Sequence, residues 1–278
     1  MAQLTMDDIM AKVSRLPAMP QIVTRILNTL NDENANIESL TETVASDPAV
    51  AVRLLAASNS GLFGGHRISS LRQAMILLGV GRVRQITVAT AVIDRFRVSL
   101  PFDSKRLWRH SIAVGICAQD IARFADINPE TAYMAGLLHD IGQLLMFVTD
   151  PIAYAEVLHE CASGERSIVD YERARFGVDH AKVGGELARR WNLPPEITDA
   201  ISSHHDICAD RSEAELSDVV SVAEALAHAL DLGETSSNRV PSMCDLASAR
   251  LGIGWREFAE HFPAIEARFD GAVMTLGL

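Results

Sequence analysis

The stretch from Met134 to Gln143 constrains the fold most, because it places a polar pair, His139 and Asp140, inside an apolar run. The apolar residues on both sides of the pair recur at helical intervals, which predicts a buried helical segment. These residues are Tyr133, Met134, Leu137, Leu138, Ile141, Leu144, Leu145 and Phe147. A carboxylate and an imidazole are costly to bury unless something pairs with them. The pair therefore predicts either a local hydrogen-bonded arrangement or a divalent metal, for which both side chains are standard ligands.

Strand signals are nearly absent from the rest of the chain, which predicts successive helices separated by Pro, Gly, Asn-Asp and Ser positions. The expected helices span residues 5–16, 20–31, 36–45, 47–57, 70–79, 82–97, 103–125, 129–148, 150–163, 167–176, 180–191, 195–206, 213–231, 242–251 and 255–276. The expected boundary between two helical lobes is Leu100-Pro101-Phe102. We therefore predict an all-α, two-lobed protein. Residues 1–99 form the N-terminal lobe, residues 100–235 form a helical core, and residues 236–278 form C-terminal helices.

The charge balance limits the classes of partner. The chain has 278 residues and a formal net charge of −11. That excess of acidic groups argues against broad binding to nucleic acid or to anionic membrane. The cysteines stand far apart without a CxxC motif, as reduced cysteines do. No signal-like start and no uncharged run long enough to span a membrane is present, so we expect a soluble cytoplasmic protein.

Between residues 110 and 205, six histidines fall at predicted helix positions, and the helices that carry them are apolar. They are His110, His139, His159, His180, His204 and His205. His180 follows Asp179, a good N-cap, so it lies in a first helical turn, where the positive end of the helix favours the neutral, metal-binding imidazole. Glu224 is the single carboxylate in the middle of another apolar helix.

Taken singly, each of these residues also has a structural interpretation: a hydrogen-bonded core histidine, a surface residue beside a cap, a favourable charge at a helix end, or a solvated face. Taken together, five imidazoles and two carboxylates from five apolar helices would leave many buried polar groups without partners. Two metal ions that share Asp140 as a bridge would satisfy all of them and could clamp a phosphate. The candidate ligands are His110, His139, Asp140, His180, His204, His205 and Glu224.

The order of these ligands resembles the HD superfamily of metal-dependent phosphohydrolases, and most closely its HD-GYP branch. Motifs across about residues 10–230 resemble the narrower HDOD domain. The motifs are Leu16-Pro-Ala-Met-Pro20, Ala45-Ser-Asp-Pro48, Arg53-Leu-Leu-Ala-Ala-Ser-Asn-Ser60, Ile68-Ser-Ser-Leu-Arg-Gln-Ala-Met75, Leu78-Gly-Val-Gly81 and Gly136-Leu-Leu-His-Asp-Ile-Gly142. The resemblance implies that residues 1–99 form the N-terminal lobe of an HDOD domain and residues 100–235 an HD-like helical core.

The resemblance also implies a bacterial signalling or regulatory module with protein partners in a signalling pathway. Its metal site would hold one or two divalent ions of Fe, Mn, Zn or Ni. When the ligand positions of the superfamily are carried over to this sequence, His110, His139 and Asp140 would bind the first ion, and His180, His204 and His205 would bind the second. Glu224 stands where the superfamily usually has Asp. Many HDOD proteins have lost such ligands, whereas this chain has nearly all of them.

Two departures from the HD-GYP pattern weaken the case for catalysis. Gln143 replaces the Lys that usually follows His-Asp-Ile-Gly and that would help neutralise a phosphate. No Gly-Tyr-Pro follows His204-His205-Asp206, so specificity for cyclic di-GMP is not implied. One hypothesis is therefore a signalling module whose metal site is structural, vestigial or a sensor of a small phosphate-containing ligand.

The other hypothesis is a working metal-dependent phosphohydrolase or phosphodiesterase that acts on a phosphate ester or nucleotide. Its catalytic residues would be Asp140, which holds the metals that activate water, and Arg109, which would stabilise the developing charge. Arg106, one turn before His110, could also reach a phosphate, although both arginines could equally be surface residues. The charged residues Asp170, Glu172 and Arg173 are typical of a solvated helix face, and we assign them no role.

Overall fold

A computed structural model describes residues 6–12, 18–28, 37–59, 68–96, 103–164, 166–206, 212–233 and 245–278. In these ranges the chain forms helices and connecting turns without a strand, which confirms the all-α prediction. The α-helices are α1 (Met6–Met10), α2 (Gln21–Leu27), α3 (Ile37–Ala45), α4 (Pro48–Ser58), α5 (Leu71–Leu78), α6 (Val80–Arg95), α7 (Ser104–Ala122), α8 (Pro129–Leu138), α9 (Ile141–Thr149), α10 (Pro151–Ser163), α11 (Ile168–Phe176), α12 (His180–Arg190), α13 (Pro195–Ser203), α14 (Leu216–Ala229), α15 (Asp245–Arg250), α16 (Trp255–Phe258) and α17 (Phe262–Leu276).

The helices fall into two compact units. The first consists of Met1–Ala18 and Val98–Ile265, and the second of Met19–Arg97 and Glu266–Leu278. The boundary predicted at Leu100-Pro101-Phe102 lies outside the described residues, and the threefold division of the chain stays a prediction. Within the described ranges, no single helix is both long and apolar enough to cross a membrane, although α5 and α6, a sharply bent pair, meet that criterion jointly.

Two of the expected helices are interrupted. The helix expected over residues 129–148 stops at Leu138 and resumes at Ile141, because His139 and Asp140 form a turn between α8 and α9. The helix expected over residues 255–276 contains a 3-10 turn at Ala259–His261. Pro263 follows that turn and has no backbone N–H for the carbonyl four residues earlier, which accounts for the change of winding.

The second unit shows how local sequence sets its helices. Asp47 caps α4, because its side chain accepts hydrogen bonds from the backbone N–H groups of Ala49 at 3.0 Å and Val50 at 3.3 Å. Gly79 joins α5 to α6 with a φ of 77°, a conformation that disfavours other residues. An ion pair of 2.9 Å between Arg53 and Asp94 links α4 to α6.

In the first unit, α7 and α8 pack at close range, and α14 packs against both. A Cβ added at Gly136 would lie 2.8 Å from the Cα of Gly115, so only glycine permits this approach. The side chain of Asp103 caps α7 by accepting a hydrogen bond of 3.1 Å from the backbone N–H of Arg106. These contacts fix the helix that carries His110 beside the turn that carries His139.

A second close approach holds the start of α9 against the start of α12. A Cβ at Gly142 would overlap the carbonyl oxygen of His180 and lie 2.7 Å from the backbone nitrogen of Gly184. Because backbone atoms cannot move aside cheaply, we expect Gly142→Ala to lower the free energy of unfolding by about 1–3 kcal/mol. Urea denaturation measures the change. Gly254→Ala is the matched control, because its new Cβ would make only an ordinary contact with the Glu257 side chain at 3.5 Å. Equal stability of the two variants would contradict the close packing.

Candidate metal centre

Asp140 lies at the centre of the cluster of imidazoles. Its Oδ1 is 3.1 Å from Nε2 of His180, and its Oδ2 is 3.4 Å from Nε2 of His139 and 3.8 Å from Nε2 of His110. The three rings come from α12, from the turn after α8 and from α7, and all four side chains are buried. A carboxylate whose two oxygens face rings from three parts of the chain could bind a cation together with those rings.

The remaining two candidate histidines follow α13 and extend the same cluster. The ring centroids of His204 and His205 are 4.0 Å apart, and the ring of His204 lies 5.1 Å from that of His139 and 5.5 Å from that of His180. Nε2 of His205 is 3.0 Å from Nε2 of His180. Two ring nitrogens at this distance can share one proton or bind one cation between them.

Two of the rings are held in a fixed orientation by their own backbone. Nδ1 of His139 donates to the carbonyl oxygen of Gly136 at 2.7 Å, and Nδ1 of His204 donates to that of Ile201 at 2.8 Å. Since a carbonyl only accepts, the lone pair of each neutral ring is on Nε2. Both Nε2 atoms are buried and have no hydrogen-bond partner among the described residues. Buried acceptors of this kind usually have a partner, and a metal ion would supply it.

Glu172 orients the third ring, and the prediction of a solvated face at this position is wrong. The side chain is fully buried, and its Oε2 accepts hydrogen bonds from the backbone N–H of His180 at 2.8 Å and from Nδ1 of the same residue at 2.7 Å. The hydroxyl of Tyr154 donates to Oε1 at 2.8 Å. The spacing could have indicated this burial, because Val169, Glu172 and Phe176 recur at helical intervals on the inner face of α11.

The cluster keeps one carboxylate ionised and one ring charged. Burial alone would raise the pKa of Asp140, but His139 and His180 hold that pKa well below its usual range. Burial opposes a charge on His180 as well, yet the carboxylates of Glu172 and Asp140 raise its pKa well above the usual value. The start of α12 favours a neutral ring, whereas the two adjacent carboxylates favour a charged one, so the expectation that His180 binds metal as a neutral ring stays a prediction.

The other rings are neutral at physiological pH, the form that binds metal. Burial lowers the pKa of His110 and of His205 to about 3 in each case, and it also lowers the pKa of His139 and His204. Burial, with a contribution from Asp140, raises the pKa of Glu224 to about 8. A carboxyl group that is neutral at pH 7 without a cation would ionise when one binds nearby.

The structure brings all seven candidate ligands together. Their donor atoms form overlapping groups of three in which all atoms lie within 4.8 Å of one another. The groups are His180, His204 and His205; His110, His139 and Asp140; His139, His204 and Glu224; and His110, Glu224 and His228. Whether these residues bind metal stays a prediction.

Two further histidines differ from the candidates named from the sequence. His228 was missed by the sequence analysis, although it lies one turn after Glu224 on α14. His159 is exposed on α10.

The two arginines near His110 differ in what they reach. Burial lowers the pKa of both His110 and His228, and the charge of Arg106 adds a smaller contribution in the same direction. Arg109 is half-buried on α7 directly before His110, with its Nε atom enclosed by protein. The catalytic role expected of Arg109 stays a prediction, and the charge of Arg106 acts on His110 and His228.

Comparison with known proteins establishes the family. The model of the HDOD domain matches residues 16–207, which is more than half of the chain. The chain belongs to the HDOD family. This HDOD protein is also similar to a solved HDOD domain protein of unknown function from Geobacter sulfurreducens, with 28% identity, a TM-score of 0.81 and coverage of 96% of this chain and 97% of that one. The family predicted from the sequence motifs is thereby confirmed.

Other relatives share the fold or part of the sequence. A proposed phosphohydrolase from Shewanella amazonensis has the same fold, with a TM-score of 0.74, 24% identity and coverage of 97% of both chains. A functionally uncharacterised protein of Treponema pallidum is 25% identical over 83% of this chain and 45% of its own length. Ribonuclease Y of Geobacter metallireducens is 27% identical over 54% of this chain and 24% of its own length. The HDOD protein thus spans less than half the length of these curated relatives.

Proposed function

We propose that this HDOD protein is a regulatory module whose HD-like core holds one or two divalent metal ions. The observation that carries the proposal is the pair of buried Nε2 atoms of His139 and His204, which have fixed lone pairs and no hydrogen-bond partner among the described residues. The donor set of imidazoles and carboxylates suits Fe, Mn, Zn or Ni. An ion bound there would supply positive charge for a phosphate group and would lower the pKa of a water molecule.

The residues divide naturally between two ion positions. His110, His139 and Asp140 would hold one ion, and His180, His204 and His205 the other, with Asp140 as the bridge. To bind the second ion, His180 would have to lose the proton on Nε2, the nitrogen that lies 3.1 Å from Oδ1 of Asp140. Metal binding should therefore release protons.

A regulatory role fits the sequence next to the cluster better than a catalytic one. Gln143, in the first turn of α9, supplies no charge to neutralise a phosphate where the related phosphodiesterases have Lys. The curated relatives also carry the matched region within longer chains. We therefore propose that the metal centre stabilises the core or senses a phosphate-containing ligand, and that protein partners receive the signal.

Elemental analysis of the purified full chain tests the metal centre. The expected result is at least one equivalent of Fe, Mn, Zn or Ni per chain, together with a rise in melting temperature when metal is added to the stripped protein, because an ion that binds only the folded state stabilises it. Metal contents well below one equivalent for all four elements, without a rise in melting temperature, would overturn the proposal.

A working phosphohydrolase is the second candidate function, favoured by the nearly complete ligand set and by the similarity to Ribonuclease Y, whose name describes cleavage of RNA. The test is turnover of phosphomonoesters, phosphodiesters, cyclic dinucleotides and a short single-stranded RNA by protein loaded with Mn or Fe. Turnover that disappears in Asp140→Asn would support this candidate. Turnover that survives in that variant would indicate a contaminant, and no turnover by the loaded wild type would leave the regulatory proposal.

If the metal centre binds a phosphate group, we expect the affinity for that phosphate to depend on Arg106. We expect Arg106→Gln to weaken binding of inorganic phosphate to the metal-loaded protein about tenfold or more, since a hydrogen bond to a charged group contributes about 1.5–3 kcal/mol. Isothermal titration calorimetry measures the affinity, and Lys105→Gln, an exposed neighbour on α7, is the matched control. The same titration of Arg109→Gln decides between the two arginines. Unchanged affinity in Arg106→Gln would contradict this role.

A further inference from the structure

We infer that His228 is a further metal ligand, which joins His110 and Glu224, two of the seven ligands named above, in an additional cation position. The inference rests on the proposed metal centre, because His110 also belongs to the group that it forms with His139 and Asp140. The position would thus adjoin the main centre and share His110 and Glu224 with it; because a neutral imidazole has one lone pair, His110 would hold both ions at once only as a bridging imidazolate.

The geometry of α14 directs two donors towards α7. Glu224 and His228 are four residues apart on this helix, so their side chains project from the same side, one turn from each other. His110 projects from α7, which packs against α14. The donor atoms of the three residues all lie within 4.8 Å of one another, and the ring centroids of His110 and His228 are 5.2 Å apart.

The chemistry of the three donors suits a divalent transition metal. Two imidazoles and one carboxylate are a common protein ligand set, and three protein ligands leave positions open for water or for a phosphate oxygen. Nδ1 of His110 is buried without a hydrogen-bond partner among the described residues. The side chains of His110 and Glu224 are only 10% and 15% exposed, so these polar groups gain little from solvent.

The positive charge of Arg106 predicts how tightly the position formed by His110, Glu224 and His228 binds a cation. Arg106 lies one turn before His110, and its positive charge acts on both His110 and His228. A cation at this position would be repelled by the guanidinium unless an anion accompanied it. We therefore expect the ion held by His228 to be the weakest of the bound ions, and to bind more tightly when inorganic phosphate is present.

A purely structural role for His228 predicts different behaviour from a ligand. As a packing residue, its ring would only lie edge-on against the ring of His110, at an interplanar angle of 65°. Phenylalanine would preserve such packing but provide no donor, whereas glutamate would provide a donor without an aromatic ring. The pair His228→Phe and His228→Glu therefore separates the two roles, and His159→Phe, at an exposed histidine on α10, is the matched control.

Equilibrium dialysis of the full chain against Mn²⁺, with and without inorganic phosphate, counts the bound equivalents. The expected result is one equivalent fewer in His228→Phe than in the wild type, with the weakest class of site lost, and its return in His228→Glu; His159→Phe should match the wild type. Equal stoichiometry and affinity in the wild type and His228→Phe would overturn the inference alone. A wild type that binds neither Mn²⁺ nor the other metals would overturn the proposed centre and this position with it.

Discussion

Replacing Asp140 by asparagine is expected to remove metal binding to the core and, with it, any metal-dependent turnover. The two carboxylate oxygens lie 3.1–3.8 Å from the Nε2 atoms of three histidines, so this residue connects the two proposed ion positions. Asparagine has nearly the same shape but carries no charge and offers one acceptor oxygen in place of two. Loss of a residue that only orients a ligand typically weakens metal binding about 10–100-fold, so loss of the bridging ligand should cost at least about 100-fold.

Equilibrium dialysis with metal analysis measures this loss. Asp199→Asn is the matched control, because Asp199 is exposed on α13 and the substitution is chemically identical. Far-ultraviolet circular dichroism of both metal-free variants establishes that each remains helical. An Asp140→Asn protein that binds the wild-type number of ions with wild-type affinity would exclude Asp140 as the bridge, whatever the fate of the other ligands.

Glu172→Ala is expected to have the second largest effect, on both stability and metal affinity. The variant removes the acceptor of the Tyr154 hydroxyl and of two donors of His180 in the core, and it separates a buried positive charge from its partner. Breaking a buried ion pair from one side typically costs about 3–5 kcal/mol. His180 would also lose the hydrogen bond that orients its ring, which should weaken metal binding about 10–100-fold.

A graded series of Glu172 variants distinguishes the effect of the hydrogen bonds that orient His180 from the effect of the negative charge of Glu172. In Glu172→Gln the amide oxygen can still accept from His180 while the amide NH₂ donates to the Tyr154 oxygen, so the hydrogen bonds survive but the charge is lost. We expect this variant to lie between the wild type and Glu172→Ala in stability and in metal affinity. Tyr154→Phe removes the hydrogen bond to Glu172 and keeps the aromatic ring, and Glu160→Ala, at an exposed position on α10, is the control.

Urea denaturation of the metal-free proteins gives the stability differences, and dialysis against Mn²⁺ gives the affinities. Stability of Glu172→Ala equal to that of Glu160→Ala would contradict the buried pairing. A large loss of stability with unchanged metal affinity would mean that Glu172 supports the core but does not orient a ligand. The two measurements thus report on separate consequences of one contact.

The sequence by itself determined the helical class, the family and the candidate ligands. Helical periodicity is a local property, so apolar spacing and cap residues such as Asp179 were enough to predict most helices. The seven candidate ligands could be named because a polar residue in an apolar helix is conspicuous wherever the helix lies.

Only the tertiary structure decided which groups meet and what charge they carry. The turn at His139 and Asp140, the burial of Glu172, the charge on His180 and the approach of His228 to His110 all depend on which helix faces which. A carboxylate on α11 is indistinguishable in sequence from a solvated one until its neighbours are known. Burial and pKa arise from contacts between residues far apart in the chain, and local periodicity carries no information about those contacts.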